Sequence, residues 1–255
     1  MTLISTVISN LGIIQASDSN LTSERNAAGT GRKVFRLGFA HGALSIAGCY
    51  SVDSRSMQLW MPNCIQAYRR TNGPTLEGFA AYLRQRLSSE MTADERRNGS
   101  LIHVAGYATD SVGEKHPEMW FVRNFDRIDE STGEYRDPND QFEVSEDFWN
   151  RDYLTSATRS AVRAGGSQRY FNGFPPGRIA FHGLTQLLGA FFRQVWDHPN
   201  WQFRPPRTLD ELASFVKLEM YSVTTIFRSS DYSAPFIGGA IQLVKIAPPA
   251  GTVTL

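Results

Sequence analysis

This 255-residue chain is poor in cysteine, in net charge and in long apolar runs. Its two cysteines, Cys49 and Cys64, cannot build a disulfide framework and lack metal-ligand spacing. They read as free thiols of a reducing compartment, so a cytoplasmic location is expected. Lysine and arginine number 26 against 25 aspartates and glutamates, for a net charge of +1. That balance gives no electrostatic draw toward nucleic acid or a membrane surface. No window approaches the roughly 18 apolar residues of a membrane span. The first residues also lack the basic segment and apolar run of a signal peptide. Asn20-Leu-Thr and Asn98-Gly-Ser match the glycosylation pattern, which carries little weight without secretion. What the chain does contain, 41% hydrophobic and 20% charged residues, suits one soluble domain spanning 1–255 with a sizeable core.

Thr2 to Ser9 is rich in β-branched residues, Asn10-Leu11-Gly12 makes a turn, and Ile13 to Ala16 continues apolar. This pattern predicts a β-hairpin at the chain terminus, closed by the turn residues Ser17 to Asn20. A polar loop is expected over 21–32. Lys33 to Leu37 alternates as a half-buried strand does, and Gly42 to Gly48 is a second short strand. Met57, Trp60, Met61, Cys64, Ile65 and Tyr68 mark one helical face, with Pro62 expected to kink or split the helix. Thr75 is a plausible N-cap for the next helix. A polar loop at 92–99 precedes strands at 100–107 and 119–122. Residues 124–178 read as an enlarged irregular insert, with 148–163 a candidate helix and 164–178 a loop. Helical periodicity returns at 179–196 and 208–227, where Thr208 and Glu211 have capping-box spacing. Phe236 to Ile246 reads as the closing strand. The grouping of elements indicates an α+β domain with antiparallel sheets and helices outside them.

The chemistry points to the start of the chain. Removal of Met1 requires a small second residue, and Thr2 qualifies. A freed Thr2 carries a hydroxyl beside an α-amine whose pKa lies at roughly 7.7–8.0. One residue then supplies both nucleophile and base. A nearby lysine would lower that amine's pKa, and an aspartate would hold the lysine charged and oriented. Asp18 and Lys33 can fill these roles. Taken singly, each has an ordinary explanation: many chains begin Met-Thr, Asp18 can cap a turn, and a lysine opening a strand is usually solvated.

The ordered set Thr2, Ala16-Ser-Asp18-Ser, Lys33-Val-Phe-Arg-Leu37 and Ser45-Ile-Ala-Gly48 resembles the N-terminal segment of proteasome β-type subunits, in particular the bacterial HslV and Anbu homologues. In that family an aspartate follows the N-terminal threonine by sixteen residues and a lysine by thirty-two. Here the separations are sixteen and thirty-one. The likeness continues through the strand pair at 101–107 and 117–122, the helix at 209–221 and the closing strand from Gly238-Gly239. The resemblance implies a four-layer αββα fold and a threonine endopeptidase of the N-terminal nucleophile class. It implies an oxyanion hole at the Gly48 backbone N–H, with Cys49 the alternative donor if the register slips. Asn20, Cys49 and Tyr50 would line the substrate pocket. No metal or organic cofactor is implied. The implied partners are further copies of the chain in rings or stacked rings, peptide or unfolded protein as substrate, and an ATP-dependent unfoldase.

Three departures from the family pattern stand out. Where the family has a Gly-Ser-Gly turn before a major helix, this chain offers Phe181-His182-Gly183, with His182 as the candidate substitute. The family's Asp-x-x-Ser-Gly-Gly is stretched to Asp231 and Ser233 ahead of Gly238-Gly239. The insert at 124–178 exceeds the compact family core. Two other functions fit the same features: an N-terminal nucleophile enzyme acting on a small amide, and an inactive ring-forming scaffold.

Overall fold

The structure is a computed structural model. It describes residues 2–23, 26–71, 73–109, 111, 113–124, 138–145, 167–173, 175–198, 204–229 and 237–250. The described residues form a mixed α+β fold with several antiparallel sheets and five helices.

The β-branched start of the chain forms β1 (Leu3–Ser9), which turns at Asn10-Leu11 into β2 (Gly12–Ser17). Gly12 has a φ of +134°, and a Cβ there would lie 2.5 Å from the Ile246 carbonyl oxygen. Glycine is required at this turn on both counts. The expected loop at 21–32 is instead a small hairpin, β3 (Asn20–Ser23) with β4 (Asn26–Thr30). Next come β5 (Val34–Arg36) and β6 (Ala43–Gly48). The short pair β7 (Ser51–Val52) and β8 (Arg55–Ser56) follows. Helix α1 (Met57–Arg69) runs through Pro62 as one helix, so of the kink or split expected there the split does not occur. Helix α2 (Leu76–Glu90) is capped by Thr75, whose hydroxyl accepts from the Gly78 N–H at 3.0 Å. Such a cap contributes about 1 kcal/mol.

The expected loop at 92–99 contains α3 (Ala93–Arg97), opened by a full capping box of Thr92 and Glu95. The long strands β9 (Ser100–Thr109) and β10 (Lys115–Arg123) then pair, and β11 (Glu143–Ser145) adds to β10. The loop reading of 164–178 fails in part. Ser167–Gly173 is β12, paired with β1 over seven positions. Helix α4 (Pro175–Trp196) then begins four residues earlier than the periodicity indicated. Helix α5 (Leu209–Arg228) is capped by Thr208, and β13 (Gln242–Ile246) closes the chain. The candidate helix at 148–163 lies outside the described residues.

Two sheets carry the fold. One has the order β12-β1-β2-β13 and the other β11-β10-β9-β6-β5. Side-chain alternation along β1 divides the core. Ile4 and Ile8 join Ala43, Ala47, Leu101, Met119 and Phe121 of the second sheet. Leu3 and Val7 join Leu212, Val216, Met220 and Val223 of α5. The other face of the second sheet, with Leu44, Ile46, Ile102 and Val104, packs on α1 and α2. The first hairpin is therefore buried on both faces, which explains its near absence of charged residues.

Candidate active site

The start of β1 lies beside the end of β2 and the start of β5, and this junction gathers the predicted residues. Asp18 extends the β1–β2 ladder by one step. Its N–H donates to the Leu3 carbonyl at 3.1 Å, and its Oδ1 accepts from the Leu3 N–H at 2.9 Å. The second carboxylate oxygen, Oδ2, accepts from the Gly238 N–H at 3.2 Å. Asp18 thus does cap the hairpin, and it also faces a lysine. Lys33 Nζ lies 3.3 Å from Asp18 Oδ1 and donates to Thr2 Oγ1 at 2.9 Å. The Asn20 carbonyl takes its third hydrogen bond. An ammonium has three protons to donate, and these three acceptors match them.

Burial governs the electrostatics. Lys33 is 1% exposed, Asp18 0% and Thr2 4%. The alternation from Lys33 to Leu37 therefore exposes Arg36 but not Lys33. Desolvation pushes the Lys33 ammonium below its ordinary range, and Asp18 pulls it back. Desolvation likewise pushes the Asp18 carboxyl up, opposed by Lys33 and by the N–H groups of Leu3 and Gly238. A buried ion pair is weak support for stability, because desolvating two charges costs several kcal/mol. Its value here is local: a cation held against a hydroxyl oxygen.

Gly48 ends β6. In an antiparallel ladder successive residues point their N–H groups to opposite sides. The Cys49 N–H donates to the Gly99 carbonyl at 2.7 Å, toward β9. Two residues earlier along the regular ladder the Ile46 N–H meets the Lys33 carbonyl at 3.0 Å, on the side away from β9, and the Gly48 N–H follows it to that side. The same ladder commits the Cys49 N–H, which removes it as the alternative oxyanion donor. Gly48 has a φ of +97°, and a Cβ there would lie 2.2 Å from the Gly99 oxygen. The residue is fixed as glycine by its backbone as well.

The pocket candidates separate. The Cys49 side chain joins the core under α1, and burial pushes its thiol up. Tyr50 is half-buried. Its hydroxyl donates to the Arg32 carbonyl at 2.5 Å, and its ring covers Gly31, whose Cβ would lie 2.7 Å from Cζ. Burial pushes the phenol up to about 12. The Asn20 side chain sits against Gly238-Gly239. Phe181-His182-Gly183 lies inside α4 and not in the turn before it, so His182 does not occupy the expected position. The register of β12 with β1 is the reason: it puts Gly173 opposite Leu3 and starts the helix at Pro175. The His182 side chain, Asp231 and Ser233 lie outside the described residues.

Two contributors escaped the sequence reading. Gly238 grips the turn after β2, donating to Asp18 and accepting from the N–H groups of Ser19 and Asn20 at 3.1 and 3.2 Å. Gln242 of β13 bonds the backbone that carries Lys33. The Gly-Gly pair was a visible signal for the first. The second is more than 200 residues from its partners and left no local signal. Among the described residues no cluster of His, Cys, Asp and Glu could hold a metal, and no helix is long and apolar enough to cross a membrane. No protein-family model matches the chain, and no curated protein matches it.

Proposed function

We propose that the chain is an N-terminal threonine peptidase of the proteasome β type. The observation that carries this reading is the buried contact of Lys33 Nζ with Thr2 Oγ1 at 2.9 Å, backed by Asp18 at 3.3 Å. A lysine donating to Oγ1 stabilises the negative charge that grows on that oxygen during attack. It also directs the hydroxyl's own proton elsewhere, and the α-amine of a processed Thr2 is the base at hand. Oγ1 bonds to the scissile carbonyl carbon while its proton passes to the amine. The Gly48 N–H receives the oxyanion, a donor worth on the order of 3 kcal/mol. Collapse breaks the C–N bond, the leaving amine takes the proton, and an ester remains on Thr2. Water then adds to that ester with the amine again as base, releasing the acid and restoring the hydroxyl.

Further support comes from the packing. Helices, sheet, sheet and helices follow one another through the three hydrophobic clusters. This order supports a four-layer αββα sandwich in one domain, with β11, β12 and the start of α4 as parts of its frame. The proposal extends to a cytoplasmic ring or stacked-ring assembly acting on peptides or unfolded protein, with an ATP-dependent unfoldase as partner. An inactive scaffold has no use for a buried Lys33–Asp18 pair aimed at a hydroxyl. A small-amide hydrolase would share the chemistry, and a panel of fluorogenic peptides beside small amides distinguishes the two.

The reaction requires a free amine on Thr2. Intact-mass measurement before and after an epoxyketone probe tests it. The expected result is loss of Met1 and one adduct, absent in Thr2→Ala. Retained Met1 with no adduct overturns the reading.

A further inference from the structure

We propose that Gln242 is a positioning residue for Lys33, acting by clamping the backbone from Gly31 to Lys33. This rests on the threonine-peptidase reading. The Gln242 side-chain Oε1 accepts from the Lys33 N–H at 2.7 Å, and its Nε2 donates to the Gly31 carbonyl at 2.6 Å. One amide therefore satisfies both ends of a three-residue segment. The same segment is held by the Gly31 N–H to the Ser19 carbonyl at 2.9 Å and by Tyr50 at Arg32. Lys33 itself lies just before β5, so the ladder of that sheet holds it only through its carbonyl. Its N–H faces the other sheet, and Gln242 is the group that receives it.

The consequence is geometric. Lys33 must reach Thr2 Oγ1, Asp18 and the Asn20 carbonyl at once, and a flexible four-carbon stem does not impose that. A backbone fixed at both sides of Arg32 does. Gln242 is supplied by β13, which pairs with β2 directly against Ser17. The residue preceding Asp18 and the clamp on Lys33 thus share one register. A one-residue slip of β13 would turn Gln242 to the opposite face.

Loss of the clamp frees Lys33 from Thr2, so the amine of Thr2 titrates closer to an ordinary α-amine. The acidic limb of the pH–rate profile then moves upward. Gln242→Met keeps the volume and removes both hydrogen bonds. Gln242→Glu keeps the volume and the acceptor for Lys33, and removes the donor to Gly31. The test is the rate of epoxyketone labelling at Thr2 from about pH 6 to about pH 9, a range of about three units spanning the ordinary α-amine value, on processed and folded protein. In both variants labelling is expected to slow about tenfold at pH 7 and to recover toward the wild-type rate as pH rises, with the Met variant the slower. Thermal unfolding run alongside identifies the folded variants, and either one suffices. A folded variant with an unchanged pH profile overturns the clamp while leaving the peptidase reading intact. Processed wild-type protein that takes no label overturns the peptidase reading itself.

Discussion

Lys33 contributes differently to stability and to chemistry, and its neighbours decide the sign of each substitution. Asp18→Ala leaves a buried ammonium facing two neutral oxygens. Removing one partner of a buried pair typically costs about 3–5 kcal/mol, and Asp18 also holds the Leu3 and Gly238 N–H groups. Lys33→Met fills the volume but leaves the buried Asp18 carboxylate with only the Leu3 and Gly238 N–H groups, so its cost is of the same order, while turnover falls at least about 100-fold for loss of a charged contact to the reacting oxygen. Urea unfolding beside peptide hydrolysis measures both. An Asp18→Ala protein as stable as wild type would contradict the buried-pair account. A Lys33→Met protein with full turnover would remove Lys33 from the chemistry.

At the scale of elements, the approach to α1 depends on a carboxylate outside it. Asp53 and Ser54 turn the β7–β8 hairpin with φ values of +51° and +61°, uncommon for residues other than glycine. Their N–H groups converge on Glu95 of α3 at 2.9 and 3.0 Å, and the Thr92 N–H adds a third bond at 2.8 Å. Burial acts to raise the Glu95 carboxyl, and the hydrogen bonds from Thr92, Ser51, Ser54 and Asp53 outweigh it, so its pKa is lowered. The sign follows from linkage. The folded value lies below the unfolded value of about 4.3. The stabilisation is therefore present above that pH and lost as pH falls through the folded value. Glu95→Ala is expected to cost about 2 kcal/mol at pH 7, as for hydrogen bonds to a charged group, and much less at pH 2. Denaturant unfolding at both pH values checks it, and an equal cost at both would refute the charge-based account.

For the whole molecule, the proposed ring predicts a separation of assembly from chemistry. Thr2 contributes a hydroxyl to an interior junction and no outward surface, being 4% exposed. Thr2→Ala is therefore expected to give the same oligomer as wild type by native mass spectrometry, with turnover abolished. A single subunit mass for both proteins would remove the compartmentalised reading.

The sequence by itself determined the elements whose signals are local. The terminal hairpin was legible from β-branched residues and Asn10-Leu11-Gly12, and α2 from Thr75 and its apolar face. Thr2, Asp18 and Lys33, singled out by their chemistry and by the resemblance to proteasome β-type subunits, are brought together in the structure. Signals failed where partners are distant. Ser167–Gly173 is a strand because β1 offers it an edge, which its Gly- and aromatic-rich surroundings did not reveal. α3 is an exception, since its Thr92–Glu95 capping box is a local signal lying within a stretch whose polarity reads as loop. Lys33 is legible as a candidate but its burial is not, and packing of the two sheets is what removes it from solvent. Likeness puts His182 in a turn before the helix, whereas α4 begins at Pro175 and already contains it. Gln242 carried no signal at all, since a hydrogen bond across more than 200 residues leaves no local pattern. Periodicity reports which side of an element is apolar, whereas burial of a charge, direction of an N–H and closure of a clamp are set by what the opposite sheet presents.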